Sequence, residues 1–147
     1  MLINLKKAGL DDIPKLLEIE KSVAGTKIYS AMLNENEWRD EIQNNTVYVV
    51  EKGDEVVGSI SYEKKSEDHI YISGLTIDPS FQNQGIARQA MKIILDKLKD
   101  INRIDLVVHP NNYPALKLYQ SLGFAIESRQ ENYFGDGEPR LVLVLKK

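Results

Sequence analysis

A chain of 147 residues, 42% hydrophobic and 28% charged, has the size and make-up of one globular domain, 1–147. A net charge of −3 with interspersed signs argues against nucleic acid as the main partner, and the absence of cysteine excludes disulfides, thiolate metal sites and a cysteine acyl-enzyme. No metal site is expected. The apolar runs fall far short of a membrane span, and residues 1–6 lack a signal-peptide pattern, so no membrane partner and a cytoplasmic location are expected.

Residues 2–5 alternate like a first strand. Asp11-Asp12 then caps a helix with Pro14 in its first turn and Ile13, Leu16, Leu17 and Val23 along one side. Residues 25–34 read as loop and 35–42 as a short second helix. Strands at 46–51 and 56–62 are joined by a turn containing Gly53-Asp54. A further turn at 66–68 leads into an apolar strand, 70–77, closed by Asp78-Pro79. A helix runs from Ala87 to Leu95; Lys92, Lys97 and Lys99 mark a solvated face around its end. A strand before His109, a helix after Asn112, a strand after Phe124, a loop at 134–139 and a last strand at 141–145 complete the chain. It contains no repeat, linker or low-complexity stretch.

The segment Gln82-Asn83-Gln84-Gly85-Ile86-Ala87 lies between that apolar strand and the helix. First-turn N–H groups of a helix lack intrahelical partners and carry partial positive charge. Small residues at Gly85 and Ala87 let a phosphate approach them, so the segment reads as an anion cradle. Neither a P-loop nor a dinucleotide fingerprint is present. Downstream, Asn112 is a good N-cap and Pro114 suits the first turn of a helix. Ala115, Leu118, Tyr119 and Leu122 recur along one face of it, and Gly123 ends it.

The first segment resembles the pyrophosphate-binding motif Arg/Gln-x-x-Gly-x-Gly/Ala of the GNAT superfamily of acyl-CoA-dependent N-acyltransferases. The second is similar to that family's Asn-x-x-Ala-x-x-Leu-Tyr-x-x-x-Gly-Phe signature at every fixed position. The resemblance extends more loosely over the whole chain. It implies an α/β fold with a mixed, mostly antiparallel central sheet of roughly six to seven strands, flanked by about four helices. It implies acetyl-CoA as co-substrate and CoA as product. The cofactor would be held by Leu75, Thr76 and Ile77, by Gln82, Asn83, Gln84, Gly85, Ile86, Ala87 and Arg88, and by Asn112. Tyr119 falls where the family places a tyrosine that protonates the departing thiolate; its alternative role is a core tyrosine.

The general base departs from the family pattern. One position that carries a glutamate in some members falls near Tyr71, and another, used by the ribosomal-protein alanine N-acetyltransferases, falls on Val107. His109 shares a strand face with Val107 and titrates near neutrality. It is the candidate base, against the alternative of a loop histidine with a structural hydrogen bond. His69 ranks below it. A water chain without a dedicated base leads these options, because deprotonating an amine costs only about 1.4 kcal/mol per pH unit below its pKa.

In this family the first two helices and the last hairpin loop wall the acceptor cleft, which nominates Thr26, Lys27, Tyr29, Trp38, Tyr133, Phe134 and Asp136. Tyr133 to Glu138 looks like the corresponding loop of peptide N-terminal acetyltransferases. Trp38 also reads as core, and Asp136-Gly137 as an ordinary turn. The leading function is direct, ternary-complex acetyl transfer from acetyl-CoA to a primary amine of a small molecule or peptide. A non-catalytic acyl-CoA-binding module and an interaction domain without cofactor are the alternatives; self-association as a homodimer is left open.

Overall fold

The computed structural model describes residues 3–24 and 31–146. Its elements are β1 (Asn4–Lys7), α1 (Ile13–Val23), α2 (Glu35–Asn44), β2 (Thr46–Lys52), β3 (Glu55–Ser66), β4 (His69–Ile77), α3 (Ile86–Lys97), β5 (Arg103–Val108), α4 (Tyr113–Ser121), β6 (Ala125–Gln130) and β7 (Arg140–Lys146). They form a seven-stranded sheet of order β1-β2-β3-β4-β5-β7-β6, antiparallel everywhere except between β4 and β5. The mixed, helix-flanked sheet expected from the resemblance is the architecture observed.

Period-two alternation along the strands builds two cores, one on each face. On β2, Val47 and Val49 pack with Ile13, Leu16 and Trp38 of α1 and α2. Val50 points the other way and joins Ile60, Ile72, Leu106 and Leu143 beneath Met91 and Ile94 of α3 and Tyr119 of α4. Trp38 is 2% exposed and donates its indole N–H to the Met32 carbonyl at 3.0 Å, so it is a core residue. No helix among the described residues is long and apolar enough to cross a membrane.

Three departures from the sequence reading have local causes. The first strand lies two residues later than expected, paired Asn4 to Glu51 through Lys7 to Tyr48. Asp12 does not cap α1; its carboxylate accepts the Gly9 N–H at 2.8 Å and closes a 3-10 turn, Leu10–Asp12, ahead of the helix. The third strand runs on to Ser66, because Glu63 and Lys64 continue the ladder against Tyr71 and Ile70.

Two features of β4 position the site. Ser61 pairs with Gly74 and Tyr62 with Ile72, leaving Ser73 as an extra, bulged residue. The parallel ladder to β5 runs only from His69–Arg103 to Ile72–Leu106, after which the two strands part. Gly58 lets β3 follow β4 past this point: a Cβ there would lie 2.4 Å from the Thr76 carbonyl oxygen.

Candidate active site

Where β4 and β5 part, a cavity of about 770 Å³ opens. Ser73, Gly74, Leu75, Thr76 and Ile77 form one wall, Val107, Val108 and His109 the other. At one end lies the turn into α3. Asn83 (φ 64) and Gly85 (φ 77) are both left-handed there, and Gly85 is the N-cap of α3. Open space surrounds a Cβ built on Gly85, so glycine serves the dihedral rather than any close contact. The first N–H groups of this 12-residue helix lie beside the cavity, which Asn83, Gly85, Ile86, Ala87 and Arg88 all line. These residues fit a pyrophosphate: free amide donors, a helix dipole and the Arg88 guanidinium converge where no acidic side chain lines the wall.

Three of the expected cradle residues are also tied to the protein, Arg88 by a hydrogen bond from its guanidinium to Ser121 Oγ. Gln82 lines the cavity, but its Nε2 donates to the Ile77 carbonyl at 3.0 Å and fastens the loop to the strand end. Gln84 turns away from the cavity, its Oε1 accepting from Lys52 Nζ at 3.0 Å.

On the opposite side, Asn112 caps α4 through the Ala115 N–H at 3.4 Å, and both it and Tyr119 line the cavity. Tyr119 is 8% exposed, its ring edge-on to Phe124 at 6.0 Å. The structure therefore brings Leu75, Thr76, Ile77, the α3 turn, Asn112 and Tyr119 around one space.

His109 also lines that space, and is 4% exposed. Its Nδ1 accepts the Asn111 N–H at 3.0 Å and its Nε2 lies 2.9 Å from Glu138 Oε1. With Nδ1 an acceptor, Nε2 carries the proton and donates it to the carboxylate. In this arrangement neither nitrogen has a lone pair to spare. Val107 and Tyr71, at the family's base positions, are on the wall too. Burial, foremost, raises the Tyr71 phenol well above its ordinary range, aided by neighbouring Tyr133, Glu63, Asp105 and Glu41. Tyr71 is thus a neutral hydroxyl at physiological pH, not a phenolate base.

Of the acceptor-cleft candidates, Thr26, Lys27 and Tyr29 lie outside the described residues. Phe134 lines the main cavity and stacks on Arg140, 5.1 Å from its guanidinium. Tyr133 lines a smaller space of about 230 Å³ with Lys65, His69, Tyr71 and Asp105. There His69 is engaged by Asp105 Oδ2 at 2.9 Å. Asp136 accepts from Arg140 at 3.1 Å and from the Glu138 N–H at 2.9 Å, which shapes the β6–β7 loop.

Two carboxylates were missed by sequence reasoning. Glu20 of α1 is 8% exposed, and burial raises its pKa from 4.5 to about 7 against hydrogen bonds from the Met32 backbone and the Thr76 side chain. The signal was available, since Glu20 follows Ile13 and Leu16 at helical spacing on an apolar face. Glu41 of α2 accepts from Ser73 Oγ at 3.2 Å, and a β-bulge pairing of this kind leaves no trace in the text of the chain.

A parted pair of parallel strands, a helix N-terminus and a tyrosine across the gap thus surround one cavity. The chain belongs to the acetyltransferase (GNAT) family, whose sequence profile matches residues 13–124. Among curated proteins, it is 32% identical over 95 residues to the catalytic subunit of the N-terminal acetyltransferase B complex of Arabidopsis thaliana, a match covering 60% of this chain and 55% of that one. The chain spans about half of the length, or less, of the curated relatives it matches. Among solved structures, the ribosomal-protein-S18-alanine N-acetyltransferase from Escherichia coli superposes with a TM-score of 0.84 at 18% identity, covering 99% of this chain and 94% of that one. A GNAT family acetyltransferase from Elizabethkingia anophelis, solved with acetyl-CoA bound, gives 0.75 at 19% identity, covering 99% and 98%. These likenesses show the shared fold.

Proposed function

We propose that the chain is an acetyl-CoA-dependent N-acetyltransferase that moves an acetyl group directly to a primary amine, with an amino acid or the N-terminus of a peptide as the acceptor class. The observation that carries this reading is the parting of β4 and β5 after Ile72 and Leu106, which opens a cavity running from the α3 turn to Tyr119. The acceptor class is supported by relatives named an N-terminal acetyltransferase, a ribosomal-protein alanine N-acetyltransferase and an L-amino acid N-acetyltransferase.

Asn83 to Arg88 would hold the pyrophosphate, and the β5-facing edge of Leu75 to Ile77 would pair with the pantetheine arm like an added strand. When bound, the cofactor supplies an activated thioester. The β4 backbone N–H groups beyond the bulge orient and polarise its carbonyl. Tyr119, across the gap, donates a proton to the leaving sulfur. His109, both nitrogens engaged, holds the β6–β7 loop in place. Phe134 at the mouth limits water.

Thermal shift with CoA, then turnover of acetyl-CoA on a panel of amines, tests this. Saturation at a hundredfold over the dissociation constant stabilises by about 2.7 kcal/mol. Double-reciprocal plots at several acceptor concentrations should intersect. Parallel lines or an acetylated side chain would replace direct transfer by a two-step route, and CoA binding without turnover on any amine would leave a binding module.

A further inference from the structure

The family's two base positions hold Tyr71 and Val107, and His109 has both nitrogens engaged, so none of the three is a ready base. Water or another side chain must carry the acceptor's proton. We propose that Ser73 and Glu41 form a two-step proton relay: Ser73 Oγ takes a proton from the acceptor amine while passing its own to Glu41. This rests on the acetyltransferase reading above and names the route that reading lacks.

The geometry favours it. Ser73 is the bulged residue of β4, and it lines the main cavity between Ile72 and Gly74 at the point where β4 and β5 separate. Its hydroxyl donates to Glu41 Oε1 at 3.2 Å. Ser61 Oγ, from a side chain on β3 that is 5% exposed, lies 3.1 Å from Ser73 Oγ. Since the Ser73 proton is committed to Glu41, Ser61 is the donor in that contact. Ser73 Oγ then keeps one lone pair for a third partner. Glu41 is only half-buried, so a proton delivered to it can leave to solvent.

Burial, foremost, and the charge of Glu63 raise the Glu41 carboxyl above the ordinary carboxylate range, which strengthens it as an acceptor, against hydrogen bonds from Ser73 and Asn45. The groups facing it are Glu63 of β3, Tyr71 and Ser73 of β4 and Asn45 at the end of its own helix. Of the two buried carboxylates, Glu20 is bonded to Thr76 and Asp105 to His69 and Arg103, and neither is on the main cavity wall.

The protons balance. An acceptor arriving as an ammonium loses two protons as the C–N bond forms, and the C–S bond breaks with its electron pair on sulfur. Tyr119 returns one proton to that sulfur and is reprotonated from solvent. The relay carries each nitrogen proton to Glu41 and out, for a net release of one.

Glu41→Gln keeps an oxygen for Ser73 to donate to but cannot take the proton. At pH 7 its turnover number should fall roughly 10²-fold or more, with CoA affinity and Tm close to the parent's. The fall should shrink by about tenfold for each unit of rising pH, as bulk water deprotonates the amine instead. Ser73→Ala should show the same loss and the same recovery, and the double variant should be no worse than either single one. If Glu41→Gln folds poorly, Ser73→Ala carries the same test. A purely structural tie between α2 and β4 predicts an equal loss at every pH, and that result, or unchanged turnover in both variants, overturns the relay while leaving the acetyltransferase reading standing. Absence of turnover in the parent on every amine removes both.

Discussion

His109 Nε2 and Glu138 Oε1 meet at 2.9 Å, joining the end of β5 to the β6–β7 loop that carries Tyr133 and Phe134. The strand that forms one wall of the main cavity is thereby bonded to the loop whose Phe134 also lines it. His109→Ala should free the loop, raising KM for the acceptor several-fold with a smaller change in kcat. It should also destabilise by about 1–3 kcal/mol, as buried partners lose their bonds. Steady-state kinetics with denaturant titration checks both. A collapse of kcat at unchanged KM would make His109 the base instead.

Gly85→Glu sets a side chain at φ 77 and a negative charge where the phosphates are proposed to lie. The thermal shift on adding CoA should vanish, with the fold retained by circular dichroism. Binding as tight as the parent's would remove the cradle assignment.

Tyr119→Phe keeps the ring against Phe124 and deletes the proton donor. The turnover number should fall by roughly 10²- to 10⁴-fold while CoA affinity and Tm move little. A tyrosine serving only the core would instead lose about 1 kcal/mol of stability with turnover of the folded fraction intact. Measuring both on the one variant separates the two roles.

Glu20 ties stability to pH. Its pKa is raised in the folded chain from 4.5 to about 7, so between those values the folded state holds a proton that the unfolded state lacks. Stability therefore falls as pH rises through that window, by roughly 3 kcal/mol for this group. Glu20→Gln removes the titration, and the gap between variant and parent should widen by about that amount between pH 4.5 and pH 8. Urea unfolding at a series of pH values measures it; parallel curves would place the Glu20 carboxylate in contact with water.

The parts of the site that could be read from the chain are those fixed by neighbours in sequence. Gln82 to Ala87 encodes its own turn, because Gly85 supplies a left-handed dihedral and Ile86 begins an amphipathic helix. Asn112, Pro114 and Gly123 mark the two ends of α4 in the same local way. What was hidden depends on which strand lies beside which. Nothing near Ser73 announces that it will be the odd residue against Ser61 and Tyr62, nor that Glu41, 32 positions earlier, will reach it. Gly58 reads as an ordinary strand glycine until the Thr76 carbonyl is seen beside it. That His109 has Glu138 as its partner was hidden because the two are 29 positions apart in the chain.

The parting of β4 from β5 reaches beyond chemistry. Past Ile72, the side of β4 that faces β5 has no ladder partner among the described residues, so this protein folds with a seam in its sheet. Under the proposed function a ligand closes that seam. The alternate amides of Gly74 to Ile77 that point away from β3 should then exchange with deuterium quickly in the free chain and slowly when CoA is present. A chain starved of acyl-CoA would spend more time partly open and be degraded faster. Its abundance in a cell would then rise and fall with the supply of the molecule it consumes.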